Sequence, residues 1–65
     1  MAQPFDIFKI AQDGEPVWLE AAQSLDAATA RVNALRVNAP GDYMILSQRT
    51  GKRIVFTAGG GIKRD

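Results

Sequence analysis

A chain of 65 residues, of which 46% are hydrophobic and 23% charged, suits one small globular domain and excludes a disordered segment. It has no cysteine and no histidine, which excludes disulfides and removes the commonest general base and metal ligand. The formal net charge of +1 is well below that of a dedicated nucleic-acid-binding domain. We therefore expect a non-enzymatic domain with no cofactor, no metal and no small-molecule substrate.

The first predicted element is a β-hairpin. Residues 5–10 and 17–21 are rich in β-branched and aromatic side chains. The pair Asp13-Gly14 between them is favoured in two-residue type I′ turns. A turn of that length places Ile10 opposite Val17, and this pairing fixes the predicted register of the whole hairpin.

A single amphipathic helix of about three turns follows the hairpin. Ser24 is placed to cap its N-terminus, and Asp26 adds a negative charge to the first turn. Four apolar residues recur at helical spacing: Leu25, Ala28, Val32 and Leu35. The helix is predicted to end at residues 38–41, because Asn38 tolerates a left-handed cap and Pro40 cannot continue the hydrogen-bond ladder.

A second hairpin is predicted from residues 42–48 and 52–57, joined by a three-residue loop at positions 49–51 whose final glycine supplies a positive φ. This loop places Ile45 opposite Val55. The element order then predicts an α+β fold of the β-β-α-β-β type, with a four-stranded, mostly antiparallel sheet and one helix packed on one face. Residues 1–58 are expected to form the single domain.

The two hairpin tips differ in charge. A helical crossover leaves the second and third strands parallel, so the tips are predicted to lie at opposite ends of the sheet. Asp13 and Glu15 occupy one tip, and Arg49, Lys52 and Arg53 occupy the other. The molecule is therefore expected to have an acidic end and a basic end, which favours head-to-tail contacts at low ionic strength.

Two features concern the ends of the chain. Residues 59–65, which begin with three consecutive glycines, are predicted to be a flexible tail. The N-terminus lacks the basic start and apolar run of a signal peptide, and no stretch approaches the ~20 apolar residues of a membrane span. Together with the absence of cysteine, this leads us to expect a cytoplasmic protein that does not associate with membranes.

The predicted registers divide the strand residues between two faces. One apolar set is assigned to the core beneath the helix: Phe8, Ile10, Val17, Leu19, Met44, Leu46, Ile54 and Phe56. The opposite face has no second helix to cover it, yet it is unusually apolar. Its candidate interaction surface consists of Phe5, Ile7, Lys9, Trp18, Tyr43, Ile45, Arg53 and Val55.

Several segments of turn, cap and strand residues resemble a group of short bacterial proteins of unknown function. These segments are Asp6-Ile7-Phe8, the stretch 13–20, Ser24-Leu25-Asp26-Ala27-Ala28, Pro40-Gly41-Asp42-Tyr43 and Thr50-Gly51-Lys52. The similarity covers roughly positions 5 to 56. It implies a bacterial cytoplasmic protein with the β-β-α-β-β pattern, and it carries no activity over to this chain.

The open face predicts an interaction module. The simplest arrangement is a symmetric homodimer with Trp18 near its centre, and edge-to-edge strand pairing is another way to dimerise. The other expected partner is a different protein. The alternative is binding of single-stranded nucleic acid, with bases stacked on Phe5, Trp18 and Tyr43 and phosphates held by Lys9 and Arg53. The low net charge counts against this alternative.

Overall fold

The computed structural model of the chain describes residues 3–58 together with the backbone of residues 62–64. Within these residues the elements are β1 (Phe5–Ile10), β2 (Pro16–Ala22), α1 (Leu25–Asn38), β3 (Asp42–Ser47), β4 (Arg53–Phe56) and β5 (Ile62–Arg64). The predicted α+β class and β-β-α-β-β order are confirmed. The first four strands form an open antiparallel sheet accompanied by one helix.

The strands are ordered β2-β1-β3-β4-β5, and every neighbouring pair is antiparallel. Both β2 and β3 are antiparallel to β1, so they run parallel to each other, and the connection between them passes through α1. The predicted placement of the two hairpin tips at opposite ends of the sheet is therefore confirmed.

The C-terminal residues differ in part from the predicted flexible tail. Ile62–Arg64 form β5, which pairs with β4 and places Phe56 opposite Ile62. The sheet consequently has five strands in the described part of the chain rather than the predicted four. The glycines at 59–61 and the final residue, Asp65, lie outside the described residues.

Helix α1 begins as predicted. The Ser24 hydroxyl accepts a hydrogen bond from the Ala27 N–H at 3.1 Å, and Asp26 lies in the first turn. The end of the helix differs from the predicted left-handed cap. Among the described residues only glycines have a positive φ, so Asn38 is not left-handed. Instead, the N–H of Ala39 donates to the Leu35 carbonyl at 2.8 Å, and the proline that follows stops the ladder.

The first hairpin turn is not the predicted type I′ turn. The Gly14 N–H donates to the Ala11 carbonyl and the Ala11 N–H donates to the Glu15 carbonyl, both at 2.9 Å. Only Gly14 in this loop has a positive φ, of 90°, whereas a type I′ turn needs positive φ at both central residues. The loop is therefore a three-residue type I turn with a glycine bulge. The extra loop residue moves the register by one, so that Lys9 lies opposite Val17.

A β-bulge then restores the original register further along β2. Phe8 lies opposite Trp18, whereas the preceding residue, Ile7, lies opposite Glu20, which leaves Leu19 as the extra residue. The bulge separates the directions of Trp18 and Glu20. Trp18 shares a face with Phe8, and Glu20 shares the opposite face with Ile7.

The second hairpin loop is also one residue longer than predicted. The Gly51 N–H donates to the Ser47 carbonyl at 2.8 Å, and the Ser47 N–H donates to the Lys52 carbonyl at 2.9 Å. These bonds enclose a four-residue loop at positions 48–51. Ile45 consequently lies opposite Ile54 rather than Val55.

These register changes reverse the predicted faces of β1 and β3. The core beneath α1 consists of Ile7, Ala22, Ala28, Val32, Tyr43, Ile45 and Phe56. Of the predicted core set, Phe56 is buried, while Leu19 and Ile54 pack against the core. The assignment is wrong for Phe8, Ile10, Met44 and Leu46, which lie on the other face, and for Val17, which is half exposed. A slip of one residue moves a strand's side chains to the opposite side of the sheet.

Candidate functional site

The face of the sheet opposite α1, here called the outer face, carries an apolar row to which each of four adjacent strands contributes one residue. Phe8 lies directly opposite Trp18 on one side and Met44 on the other, and Met44 lies opposite Val55. Directly opposed residues share a face and stand about 4.5–5.5 Å apart at their Cβ atoms. The four side chains therefore form a continuous line, here called the outer row: Trp18, Phe8, Met44 and Val55.

The outer row is accessible to partners. Trp18 is 56% exposed, an unusual value for the largest apolar side chain of a small domain. Phe8, Met44 and Val55 are partly exposed. Among the described elements, α1 is the one that packs against the sheet, and the residues it buries lie on the opposite face. No described element of this chain covers the outer row.

Polar groups flank the outer row and fix its largest side chain. The indole Nε1 of Trp18 donates to Asp6 Oδ1 at 3.2 Å, and Gln48 Nε2 donates to Asp6 Oδ2 at 2.7 Å. Asp6 therefore links β1 to β2 and to the second hairpin loop, and it restrains the orientation of the indole. Leu46 lies between Asp6 and Arg53 in the neighbouring row, which places a carboxylate and a guanidinium on either side of an apolar residue.

The two edges of the sheet are poor surfaces for strand addition. Strand β2 begins at Pro16, which has no N–H to donate, and it is interrupted by the bulge at Leu19. Strand β5 at the other edge is three residues long. Short, bulged or proline-containing edges hinder pairing with another chain. The outer face is thus a better docking surface than either edge.

The structure brings together three of the residues predicted for the interaction surface: Trp18, Arg53 and Val55 lie on the outer face. The prediction is wrong for Ile7, Tyr43 and Ile45, which are 0%, 1% and 1% exposed beneath α1. Phe5 and Lys9 also face the helix side, and Phe5 packs against the core. The physical reason is the reversed facing of β1 and β3 caused by the longer hairpin loops.

Lys9 and Tyr43 instead close the C-terminal end of the helix. Lys9 Nζ donates to the carbonyl oxygens of Ala39 and Pro40, each at 3.3 Å, and lies 4.7 Å from the centre of the Tyr43 ring. The Tyr43 hydroxyl donates to the Ala39 carbonyl. A cation at this position complements the negative end of the helix dipole. Both side chains therefore stabilise the fold and take no part in the outer face.

An ion pair links the helix to the β2 edge on the helix side. Arg31 Nε lies 2.8 Å from Glu20 Oε1, and Arg31 Nη2 donates to Glu20 Oε2 at 3.0 Å. The hydrogen bond from this guanidinium lowers the pKa of Glu20, and the same bond raises the pKa of Arg31. The side chains of Arg31 and Glu20 are 52% and 34% exposed, so solvent screens the pair and it adds little to stability.

Sequence reasoning missed Phe8 and Met44 as outer-face residues because it placed both in the core. It also did not anticipate a cavity of about 380 Å³ on the helix side, between the start of α1 and the second hairpin loop. One sequence signal was available for the cavity. A single helix is about 10 Å wide, whereas adjacent strands are about 4.8 Å apart, so one helix cannot cover a sheet of four or five strands.

Comparisons with family models, with curated proteins and with solved structures found no match to this chain. The resemblance to short bacterial proteins therefore stays a prediction. In the part of the chain that is described, no helix has the length and apolar character needed to cross a membrane. The described carboxylates form no group of three or more that could hold a metal ion. The outer row is the feature on which a functional proposal can be built.

Proposed function

We propose that this chain is a non-enzymatic interaction module that self-associates through its outer face, forming a symmetric homodimer. The observation that carries the proposal is the outer row, an apolar line across four strands that no described element covers. A contiguous apolar patch of this kind marks interaction surfaces in soluble proteins. The absence of histidine and cysteine supports a non-catalytic role, and the lack of cysteine supports a reducing, cytoplasmic location.

The size of a stable interface favours the whole face over a smaller region. A standard interface buries ~800 Å² on each partner, which is roughly a fifth of this molecule's 4445 Å² of accessible surface. A hairpin tip or a three-residue edge strand cannot supply that area. The outer face can bury an area of this size only if most of its strands contact the partner. Such contact requires a flat, extended partner, such as a second copy of the same sheet.

The outer row suits two-fold symmetry. Two copies can pack face to face about a two-fold axis that runs parallel to the strands and lies between β1 and β3. In this arrangement, Phe8 of one copy lies over Met44 of the other. Trp18 then lies over Val55 of the second copy. Each pairing joins an aromatic ring with a flexible or small aliphatic side chain, a combination that packs closely. The centre of the proposed interface therefore falls at Phe8 and Met44, and Trp18 anchors its edge.

The residues proposed for nucleic-acid binding do not share one face. Phe5, Lys9 and Tyr43 lie on the helix side, whereas Trp18 and Arg53 lie on the outer face. A stacking platform needs its aromatic and basic side chains on the same accessible surface. We therefore propose self-association rather than binding of single-stranded nucleic acid.

Sedimentation velocity over a range of protein concentrations tests the proposal. We expect a monomer–dimer equilibrium that Trp18→Ala weakens by about tenfold or more, the effect typical of an interface anchor. Val37→Ala is the matched control, because Val37 is 80% exposed but lies on α1, away from the sheet. A chain that stays monomeric at every concentration, or equal losses in both variants, contradicts the proposal.

The charged hairpin tips offer a competing mode of association that the same instrument separates. Contacts between the acidic and basic ends weaken as salt increases, whereas apolar burial is little affected by moderate salt. We expect dimerisation to persist at moderate ionic strength and in an Asp13→Lys plus Glu15→Lys variant. Loss of the dimer under either condition would assign association to the ends of the molecule.

A further inference from the structure

The helix side of the sheet contains a space that α1 does not fill. The helix packs mainly on β1, β2 and β3, and the surface of β4 near Ile54 is left partly open. The resulting cavity has a volume of about 380 Å³. Small-molecule sites start at about 300 Å³, so this space is large enough for a compact ligand.

The floor and one wall of the cavity are apolar. Phe5, Ile45 and Ile54 come from three adjacent strands, and Leu25 comes from the first turn of α1. Ile45 is buried, and the other three pack against the core while keeping part of their surface accessible. These residues form an apolar surface suited to a ring or a short alkyl chain.

The rim of the cavity is polar and positively charged. Ser47 and Thr50 contribute hydroxyl groups, and Lys52 contributes a cation. Arg53 also borders the cavity, although its register on β4 places its side chain on the outer face. The ammonium of Lys52 forms no ion pair with a described residue. No carboxylate occurs among the described residues that line the cavity. An anionic group at the rim would therefore meet hydrogen-bond donors and positive charge without a competing acid.

We infer that this cavity binds a small organic carboxylate, with the apolar body of the ligand on the floor and its carboxylate at the rim near Lys52. The site is distinct from the outer row, because Trp18, Phe8, Met44 and Val55 lie on the opposite face of the sheet and none of them lines the cavity. The sequence predicts no small-molecule substrate for this chain, so binding of a ligand here goes beyond what the sequence predicts. The ligand would be bound and not converted, since the lining residues include no partnered base or nucleophile.

Titration of ¹⁵N-labelled protein with 1-naphthoate tests this inference, and 1-naphthalenemethanol serves as the uncharged analogue of the same ring. We expect saturable shifts at the backbone amides of Leu25 and residues 47–54. We also expect the carboxylate to bind about fivefold more tightly than the alcohol, as one exposed charge-assisted contact allows. Octanoate extends the test to an alkyl body and is expected to shift the same amides.

Two variants isolate the role of charge. Lys52→Gln is expected to remove the preference for the carboxylate, whereas Arg49→Gln, which takes the same charge from the same loop but does not line the cavity, is expected to keep it. Equal losses in both variants would show non-specific attraction and overturn the inference. So would shifts centred on Trp18 and Phe8, or the absence of saturable shifts with both naphthoate and octanoate. The location of the shifts keeps this test separate from that of dimerisation.

Discussion

The two faces of the sheet are similar in composition but differ in what covers them. The helix side contains Ile7, Tyr43 and Ile45, which are almost completely buried. The outer face contains Phe8 and Met44 on the same two strands, and these remain partly exposed. Apolar character alone therefore does not decide which face of a two-sided apolar sheet becomes the core. The position of the helix and the register of the hairpins decide it.

The largest expected difference between the faces is in stability. Ile45→Ala is expected to lower the free energy of unfolding by about 2–5 kcal/mol, because it empties a fully buried site. Met44→Ala, at the neighbouring position on β3, is expected to cost about 1 kcal/mol or less in the dilute monomer, since its side chain lies on the uncovered face. Urea unfolding at low protein concentration measures both.

If Ile45→Ala does not fold, Ile45→Val provides the comparison, with an expected loss of about 0.5–1.5 kcal/mol. A larger loss for Met44→Ala than for the Ile45 variants would show that the outer face is the core. That result would also remove the basis for the proposed dimer surface.

Local signals predicted the helix and the first four strands, but loop lengths decided which side chains of those strands face the helix. Ser24 and the spacing of Ala28 and Val32 were enough to place the helix. Asp13-Gly14 located the first turn, but the same dipeptide fits both a two-residue turn and a three-residue turn with a glycine bulge. The bulge at Leu19 had no glycine or other marker in the sequence. Long-range packing against α1, which the sequence does not show directly, selected among these alternatives.

Substitution of the glycine in the first turn is expected to have an intermediate effect on stability. Gly14 has a φ of 90°, and a Cβ at this position would have no heavy atom within 4 Å, so the cost of Gly14→Ala is conformational and not steric. We expect a loss of about 1–2 kcal/mol, the penalty for a left-handed residue with a side chain. Thermal unfolding measures it, with Gln12→Ala in the same loop as control. An unchanged stability would contradict the three-residue loop that sets the register of β1 and β2.

The smallest effect concerns the exposed ion pair on the helix side. The pKa of Glu20 in the folded chain lies below its ordinary value of 4.5. The ion pair therefore contributes its full stabilisation above pH 4.5, and this stabilisation is lost as the pH falls through the lower pKa of the folded chain. Glu20→Gln is expected to be slightly less stable at neutral pH and to lose less stability than wild type on acidification below about pH 4.5. Denaturation curves from neutral to acidic pH measure this. Parallel curves for the two proteins would show that the Glu20–Arg31 pair contributes nothing to stability.

The fluorescence of Trp18, the one tryptophan in the chain, reports whether self-association buries the outer face. In the monomer the indole is 56% exposed, so its emission is expected at long wavelength. As the protein concentration rises at moderate salt, the emission is predicted to shift to shorter wavelength in parallel with the dimer fraction measured by sedimentation. Dimer formation with unchanged Trp18 emission, or no dimer at any concentration, would contradict burial of the outer face by self-association.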